Sequence, residues 1–261
     1  RGLGDVYKRQ HVFNIDKYSF NLANGKVAGK MNYNLDTFAG YGEMNISNAD
    51  AQIIGENFFD MPGQMFGHVT GNMQVACKGL SSVDCINTLS GNGTFKVQDG
   101  RMPKLGSLEY LLKAGNLITG GITGLSINGI IDLITPLKTG NFESISGEVH
   151  VKDGIANDIQ IYSKGKDLNM YLTGSYNIST LIADMEVYGS LSKNFSTLLG
   201  RIGNASLNRL FNAIPGININ EINPKSTSNI NKIPNFDKKN ILRVFKAEIY
   251  GDINGSNYVK S

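Results

Sequence analysis

Apolar and polar residues alternate at every second position through residues 142–191, and this period constrains the fold more than any other feature of the chain. Ile145, Val149 and Val151 alternate with polar residues, and Asp153-Gly154 then gives the signal of a tight hairpin turn. Three further segments, over residues 155–161, 168–174 and 183–189, repeat the alternation after short connections. The pattern predicts four strands of an antiparallel meander with one apolar and one polar face.

Other segments extend this arrangement in both directions. Residues 69–77 and 93–97 alternate in the same way, and residues 18–22, 26–34 and 41–47 are predicted as three more strands. Apolar residues recur at helical spacing over residues 48–59, 82–89, 103–118, 127–137 and 195–214, which predicts short helices between the strands. The predicted fold class is α+β, mainly β: an antiparallel sheet with several short helices packed on it or capping it.

The charge balance bears on the kind of partner. The chain has 25 Lys+Arg against 22 Asp+Glu, a net charge of +3. Domains that bind nucleic acid usually carry a strong basic stripe, so no nucleic-acid partner is expected.

The most apolar stretch, residues 117–137, is broken by several Gly, an Asp and a Pro. It therefore does not predict a membrane-spanning helix, which needs about 20 mostly apolar residues.

Residues with catalytic or metal-binding chemistry are sparse. The three histidines, His11, His68 and His150, stand at no metal-ligand spacing, so no metal site is predicted. Asp184 and Glu186 share one strand face and resemble an acid/base pair, but both are also the outward positions of an alternating strand. No nucleophile, base and orienting group can be assembled from the chain. We therefore expect no catalytic residues, no cofactor and no enzymatic activity.

Two cysteines leave a choice open. Cys77 and Cys85 stand eight residues apart, which excludes CxxC chemistry. They would form a disulfide in an oxidising compartment, and otherwise they are two small packing residues.

Two segments stand apart from the pattern. Residues 1–10 fit nothing in the remainder and are expected to be non-native or disordered. Residues 216–240 are rich in Asn, Pro and Ser and are expected to form a flexible loop. The folded domain is accordingly predicted over residues 11–261.

The order of several short motifs resembles a known family. GHVTGNMQVAC at residues 67–77 is followed by GLSSVD at 79–84, LSGNGTFKVQDG at 89–100 and then a Leu-rich helix. This succession resembles the C-terminal region of the AsmA-like family, which is related to TamB-like and other bridge-like lipid transfer proteins. The resemblance covers roughly residues 13–261. It implies a curved antiparallel sheet wrapped into a groove.

The resemblance also implies a function and a location. The chain would be a periplasmic part of a Gram-negative-type envelope protein, tethered to the inner membrane by an N-terminal helix absent from this sequence. It would handle phospholipid between inner and outer membranes during outer-membrane biogenesis, with acyl chains as ligands and outer-membrane assembly proteins as further partners. An apolar groove needs no catalytic residue, because burial of apolar area yields about 25 cal/mol per Å². The residues expected to line it are Val69, Met73, Val75, Phe95, Val97, Val149, Val151, Ile159, Ile161, Leu168, Met170, Leu172, Met185 and Val187.

Other interpretations of the same residues stay open. These side chains would equally form a dry core under the helix predicted at residues 103–118. The domain would then be a structural cap that docks on an outer-membrane assembly partner and carries no lipid, for instance by strand addition at an exposed edge. An outer-membrane barrel is disfavoured, because helices interrupt the strands. An enzyme acting on envelope sugars is the remaining alternative.

Overall fold

The computed structural model describes residues 11–58, 62–63, 65–102, 141–166, 168–192, 218–223, 225–236, 239 and 241–252. Within these residues the chain forms one 11-stranded sheet in which every pairing is antiparallel. The sheet is curved and open, and few helices accompany it, so the predicted mainly β fold class is confirmed.

The strands follow one another in space almost as they do along the chain. From β1 to β9 each strand pairs with the next, and β11 then lies between β9 and the edge strand β10. Two residues connect neighbouring strands at 23–24 and at 153–154, which is enough for an antiparallel pair, whereas residues 102–140 separate two other neighbouring strands. The strands are β1 Val12–Leu22, β2 Gly25–Asn34, β3 Ala39–Asp50, β4 Phe66–Lys78, β5 Ser90–Arg101, β6 Asn141–Lys152, β7 Ile155–Lys164, β8 Leu168–Asn177, β9 Ile182–Ser192, β10 Asn218–Glu221 and β11 Ile241–Asp252.

Two short α-helices occur between strands of the first half. Helix α1, Ala51–Phe58, begins after Asp50, whose side chain accepts a 2.8 Å hydrogen bond from the Gln52 backbone N–H. Helix α2, Ser82–Asn87, begins with a capping box in which Ser81 and Asp84 each accept from the other's backbone N–H. The helices predicted at residues 103–118, 127–137 and 195–214 lie outside the described residues.

The segment expected to be a flexible loop is instead packed on the sheet where it is described. It contributes strand β10 and a 3₁₀ helix, Ser228–Lys232. Ile230 and Ile233 are buried there against Tyr171, Tyr188 and other residues of the last strands. The expectation of a loop was based on the Asn, Pro and Ser content. Composition alone does not show that two isoleucines can anchor such a segment to a tyrosine-rich surface. The expectation is therefore corrected for residues 218–223 and 225–236.

The two ends of the sheet differ. One end, here called the tip end, carries the connections at residues 35–38, 79–89, 153–154 and 178–181. Neighbouring connections are hydrogen-bonded to each other there: the Gly79 N–H donates to Phe38 O (3.0 Å), and the Ile178 N–H donates to Gly154 O (3.0 Å). Helix α1 lies at the opposite end. No helix among the described residues is long and apolar enough to cross a membrane.

Candidate functional site on the apolar face

All the residues predicted to line a groove lie on one face of the sheet, here called the apolar face. Residues paired directly across antiparallel strands share a face, so the register assigns each position. Four cross-strand rows result. The first row contains Val69, Val97 and Met170, and the second contains Phe95, Ile161, Leu172 and Val187. The third contains Met73, Val149, Ile159 and Met185, and the fourth contains Val75 and Val151. Leu168 lies on the same face, two residues before Met170 on the same strand.

Glycines alternate with large apolar side chains along these rows. Gly71 pairs with Phe95, Phe95 with Gly147, and Gly147 with Ile161. The Phe95 ring fills the space over Gly147, where an added Cβ would lie 2.4 Å from Phe95 Cε1. At Gly42, which pairs with Val75, an added Cβ would meet nothing within 4 Å. The apolar face is therefore open at that point.

The solvent exposure of the residues predicted to line a groove shows which of them are accessible to a ligand. Val97, Ile159 and Leu168 are buried, at 3%, 6% and 8% exposure, whereas Met73 is exposed at 38%. The ten others are partly exposed. Buried side chains already have protein neighbours on all sides, so they serve packing and do not offer free surface to a ligand. The surface available on the apolar face therefore comes from the remaining eleven residues.

Helix α1 covers the apolar face at one end. Ala51 of α1 is fully buried in a cluster with Val97 and Phe142. Val69 and Phe95 are partly buried against the same cluster. This end is thus a small dry core under α1, whereas the helix that the sequence analysis expected over such a core, at residues 103–118, lies outside the described residues. The rows nearer the tip end do not belong to that cluster.

The apolar face also includes residues that the sequence prediction did not name. Met31 and Met44 lie on it in β2 and β3, and Met44 pairs directly with Met73. Methionine is flexible and polarisable and adapts to ligands of varied shape. The alternation over residues 26–34 and 41–47 signalled strands, but only the register shows that these strands continue the same face.

The opposite, polar face holds the residues considered for acid/base or metal chemistry. Lys246 Nζ lies 2.6 Å from Glu186 Oε1 and 2.8 Å from Glu248 Oε1, and Tyr188 OH donates a 2.7 Å hydrogen bond to Glu186 Oε2. The hydrogen bond from Lys246 holds the pKa of Glu186 below its usual range. Glu186 is thus engaged in an ion-pair network.

Among the described residues, the polar face brings together no set of metal ligands. Asp184 pairs with Tyr250 across the strands, and His150 lies beside Glu148 at 3.1 Å. His11 contacts Asp36 at the tip end, and His68 lies near the opposite end on β4. No group of three or more potential metal ligands occurs among the described residues.

Cys77 and Cys85 are joined by a disulfide. The bond ties the last residues of β4 to α2, so the connection at residues 79–89 is held against the sheet. Thr88 reinforces it, because its hydroxyl donates to Lys78 O (2.6 Å) and accepts from the Lys78 N–H (2.7 Å).

Comparison of the chain with protein-family models, with curated proteins and with solved structures finds no match.

Proposed function

We propose that this domain handles phospholipid, holding acyl chains along the apolar face of its sheet without enzymatic chemistry. The observation that carries the proposal is the set of four apolar rows, which cross six consecutive strands from β4 to β9 with no charged residue at any paired position. A sheet face that is apolar over such a distance must be covered by something apolar.

The dimensions suit an acyl chain. Five steps between neighbouring strands, each about 4.8 Å, give a row about 24 Å long. The hydrocarbon of one bilayer leaflet is about 15 Å thick, half of a core of about 30 Å. A row is therefore long enough to hold one chain, and the open position at Gly42 continues the surface onto β3.

The chemistry of the rows suits a ligand that slides. Side chains such as Met73, Met185 and Val149 offer contact area without hydrogen bonds, so no position fixes the ligand. Burial of apolar area contributes about 25 cal/mol per Å², which permits binding without specific polar groups.

The setting we propose is the periplasm of a diderm envelope. The Cys77–Cys85 disulfide is typical of an oxidising compartment, which the periplasm is. The resemblance of the motifs at residues 67–100 to the AsmA-like family supports the same setting, with a tether in the inner membrane. Phospholipid would be the ligand, and outer-membrane assembly proteins would be partners.

A docking cap is the second candidate, and one observation favours it. The cluster of Ala51, Val97 and Phe142 shows that part of the apolar face is closed by the protein's own helix. If the whole face were closed in this way, the domain would bind a protein partner and no lipid.

Native mass spectrometry with lipid extraction distinguishes the two candidates. The protein would be expressed in a bacterial periplasm and purified without detergent. We expect bound phospholipid in the parent protein and its loss when Val151, Ile161 and Leu172 are changed to Lys. The matched control changes their strand neighbours His150, Gln160 and Thr173, on the polar face, to Lys, and should keep the lipid. A lipid-free parent protein would support the docking cap.

A further inference from the structure

We infer that the edge strand β1 pairs with β1 of a second copy of this chain, antiparallel and around a two-fold axis between Asp16 and Lys17. The inference goes beyond the proposed function and does not depend on it, because it concerns the edge of the sheet and requires no lipid.

Strand β1 is a long edge strand. It has 11 residues, and within the part of the chain that the structure describes only β2 pairs with it. An edge strand presents a row of N–H and C=O groups with which a further strand can pair. Strand β10, at the other edge, has 4 residues and could match only part of β1. A second β1 is the strand of this chain that matches its full length.

One end of β1 shows which of its backbone groups point toward β2. The His11 C=O accepts a 2.6 Å hydrogen bond from the Leu35 N–H. Hydrogen-bonded and non-hydrogen-bonded residues alternate along an antiparallel pair, so the N–H and C=O of Phe13 and Ile15 also point toward β2. The groups of the intervening residues point away from it.

The other end of β1 gives the same pattern in reverse order. A two-residue turn with positive φ at Ala23 and Asn24 follows the strand, and the residues that flank such a turn form a hydrogen-bonded pair. The alternation then directs the groups of Phe20 and Tyr18 toward β2. A register shift between Ile15 and Tyr18 joins the two halves. The outward groups therefore belong to four residues placed symmetrically around the centre of the strand: Val12, Asn14, Ser19 and Asn21.

The irregularity at the centre of β1 is what makes the strand self-complementary. A β-bulge usually protects an edge, because it bends the strand and interrupts pairing. Here the extra residue lies at Asp16 and Lys17, opposite Lys30. In a regular strand Asn14 and Ser19 would point in opposite directions, and the bulge turns both outward. Two copies can therefore pair Asn14 with Ser19 on both sides of the axis.

The side chains are complementary in this register. Asp16 stands opposite Lys17 of the second copy, and the two-fold axis repeats this pair of opposite charges. Phe13, exposed at 54%, stands opposite Phe20 of the second copy, which is exposed at 50%. Cross-strand pairs of opposite charge and of two aromatic rings both stabilise a sheet. The pairing thus covers two aromatic side chains that each copy alone leaves exposed.

The pairing also keeps the apolar faces of the two copies on the same side. Ile15 pairs with Met31, so Phe13 and Ile15 lie on the apolar face, and Phe20 pairs with Val27 in the row that leads to Gly71. A two-fold axis perpendicular to the sheet leaves each face on its own side. The interface is therefore isologous and closes after two copies.

Sedimentation velocity of the whole chain at a series of concentrations tests the inference. The parent protein should form a dimer. Asp16→Lys places Lys opposite Lys, and Lys17→Asp places Asp opposite Asp, so each variant alone should raise the dimer Kd at least about tenfold. An equimolar mixture of the two variants restores both opposite-charge pairs and should again form a dimer. The matched control is Lys96→Asp, the same exchange at an exposed position of the central strand β5, and it should dimerise like the parent.

The outcomes separate this inference from the proposed function. A parent protein that stays monomeric at all concentrations overturns the pairing, and the proposed function stands if that monomer carries phospholipid. A dimer that both variants retain, with circular dichroism showing each folded, overturns it as well, because another surface then forms the dimer. Failure of the mixed variants to dimerise overturns the register. Open assemblies larger than a dimer would indicate pairing of β1 with β10 and would likewise overturn the inference.

Discussion

The ring of Phe95 occupies the space in which a side chain at Gly147 would stand. The two residues are paired across β5 and β6, and a Cβ built on Gly147 would lie 2.4 Å from Phe95 Cε1. Real Cβ atoms do not approach other atoms so closely. The aromatic ring therefore lies along the floor of the apolar face because its neighbour is a glycine.

The substitution Gly147→Ala should destabilise the protein by about 1–3 kcal/mol, since the ring or the strand must move. Gly42→Ala is the matched control, because it places the same methyl group on the same face in open space. There the loss of glycine flexibility should stabilise the strand by about 0.5–1 kcal/mol. Urea unfolding of the two variants measures both effects, and equal stability of the two would contradict the packing of Phe95 described here.

Ile230 tests whether the segment after β10 is part of the folded structure. Its side chain is fully buried against the tyrosines of the polar face. Ile230→Ala should cost about 2–5 kcal/mol, the usual range for a buried isoleucine. Asn231→Ala, one residue along and exposed, should change stability by less than about 0.5 kcal/mol. Urea unfolding measures the change in the free energy of unfolding for both variants. An equally small change at both positions would indicate that the segment is a flexible loop after all.

The disulfide should stabilise the domain. Cys77 and Cys85 have a sequence separation of 8. A disulfide that closes so short a loop lowers the conformational entropy of the unfolded chain, which stabilises the folded state by about 2–3 kcal/mol. We expect a reductant to lower the urea midpoint of the parent protein. A Cys77→Ala, Cys85→Ala variant should have that lower midpoint already and should not respond to the reductant. An unchanged parent midpoint under reductant would show that the bond contributes nothing to stability.

The ion-pair network on the polar face predicts a pH dependence. The hydrogen bond from Lys246 lowers the pKa of Glu186 in the folded state from its ordinary value of 4.5. A carboxyl group with a lowered folded pKa contributes stability that is present above the unfolded pKa and is lost as the pH falls through the folded one.

Glu186→Gln should therefore reduce the loss of stability on acidification to about pH 3, because the variant has no such carboxylate to protonate. Thermal unfolding of parent and variant at about pH 7 and about pH 3 measures the difference. An identical decrease in both proteins would mean that Glu186 is not favourably paired in the folded state.

The sequence predicts the faces of single strands well. In β6 and β7 the alternation assigns Val149, Val151 and Ile161 to one face, and Asp153-Gly154 marks the turn between the strands. These features are local, because the period of two and the turn geometry depend only on neighbouring residues. The fold class follows directly from their repetition.

Features that depend on distant contacts were not predictable in this way. Nothing in residues 241–252 indicates that β11 lies between β9 and β10. The buried state of Val97 depends on Ala51 of α1, which is more than forty residues earlier in the chain. Tyr171 and Tyr188 count as polar positions in the alternation, yet they form the center of a second core with Ile230. An amphipathic tyrosine buries its ring when an apolar segment covers it, and the sequence does not show which segment does.

Photo-crosslinking with a phospholipid that carries a diazirine in its acyl chain tests the central claim most directly. Adjacent residues of one strand lie on opposite faces, so each strand provides its own control. We predict that mass spectrometry of the crosslinked peptides will place the label on Val149, Val151, Ile161 and Leu172. Label on their neighbours Glu148, His150, Gln160 and Thr173, or equal label on both faces, would contradict the account.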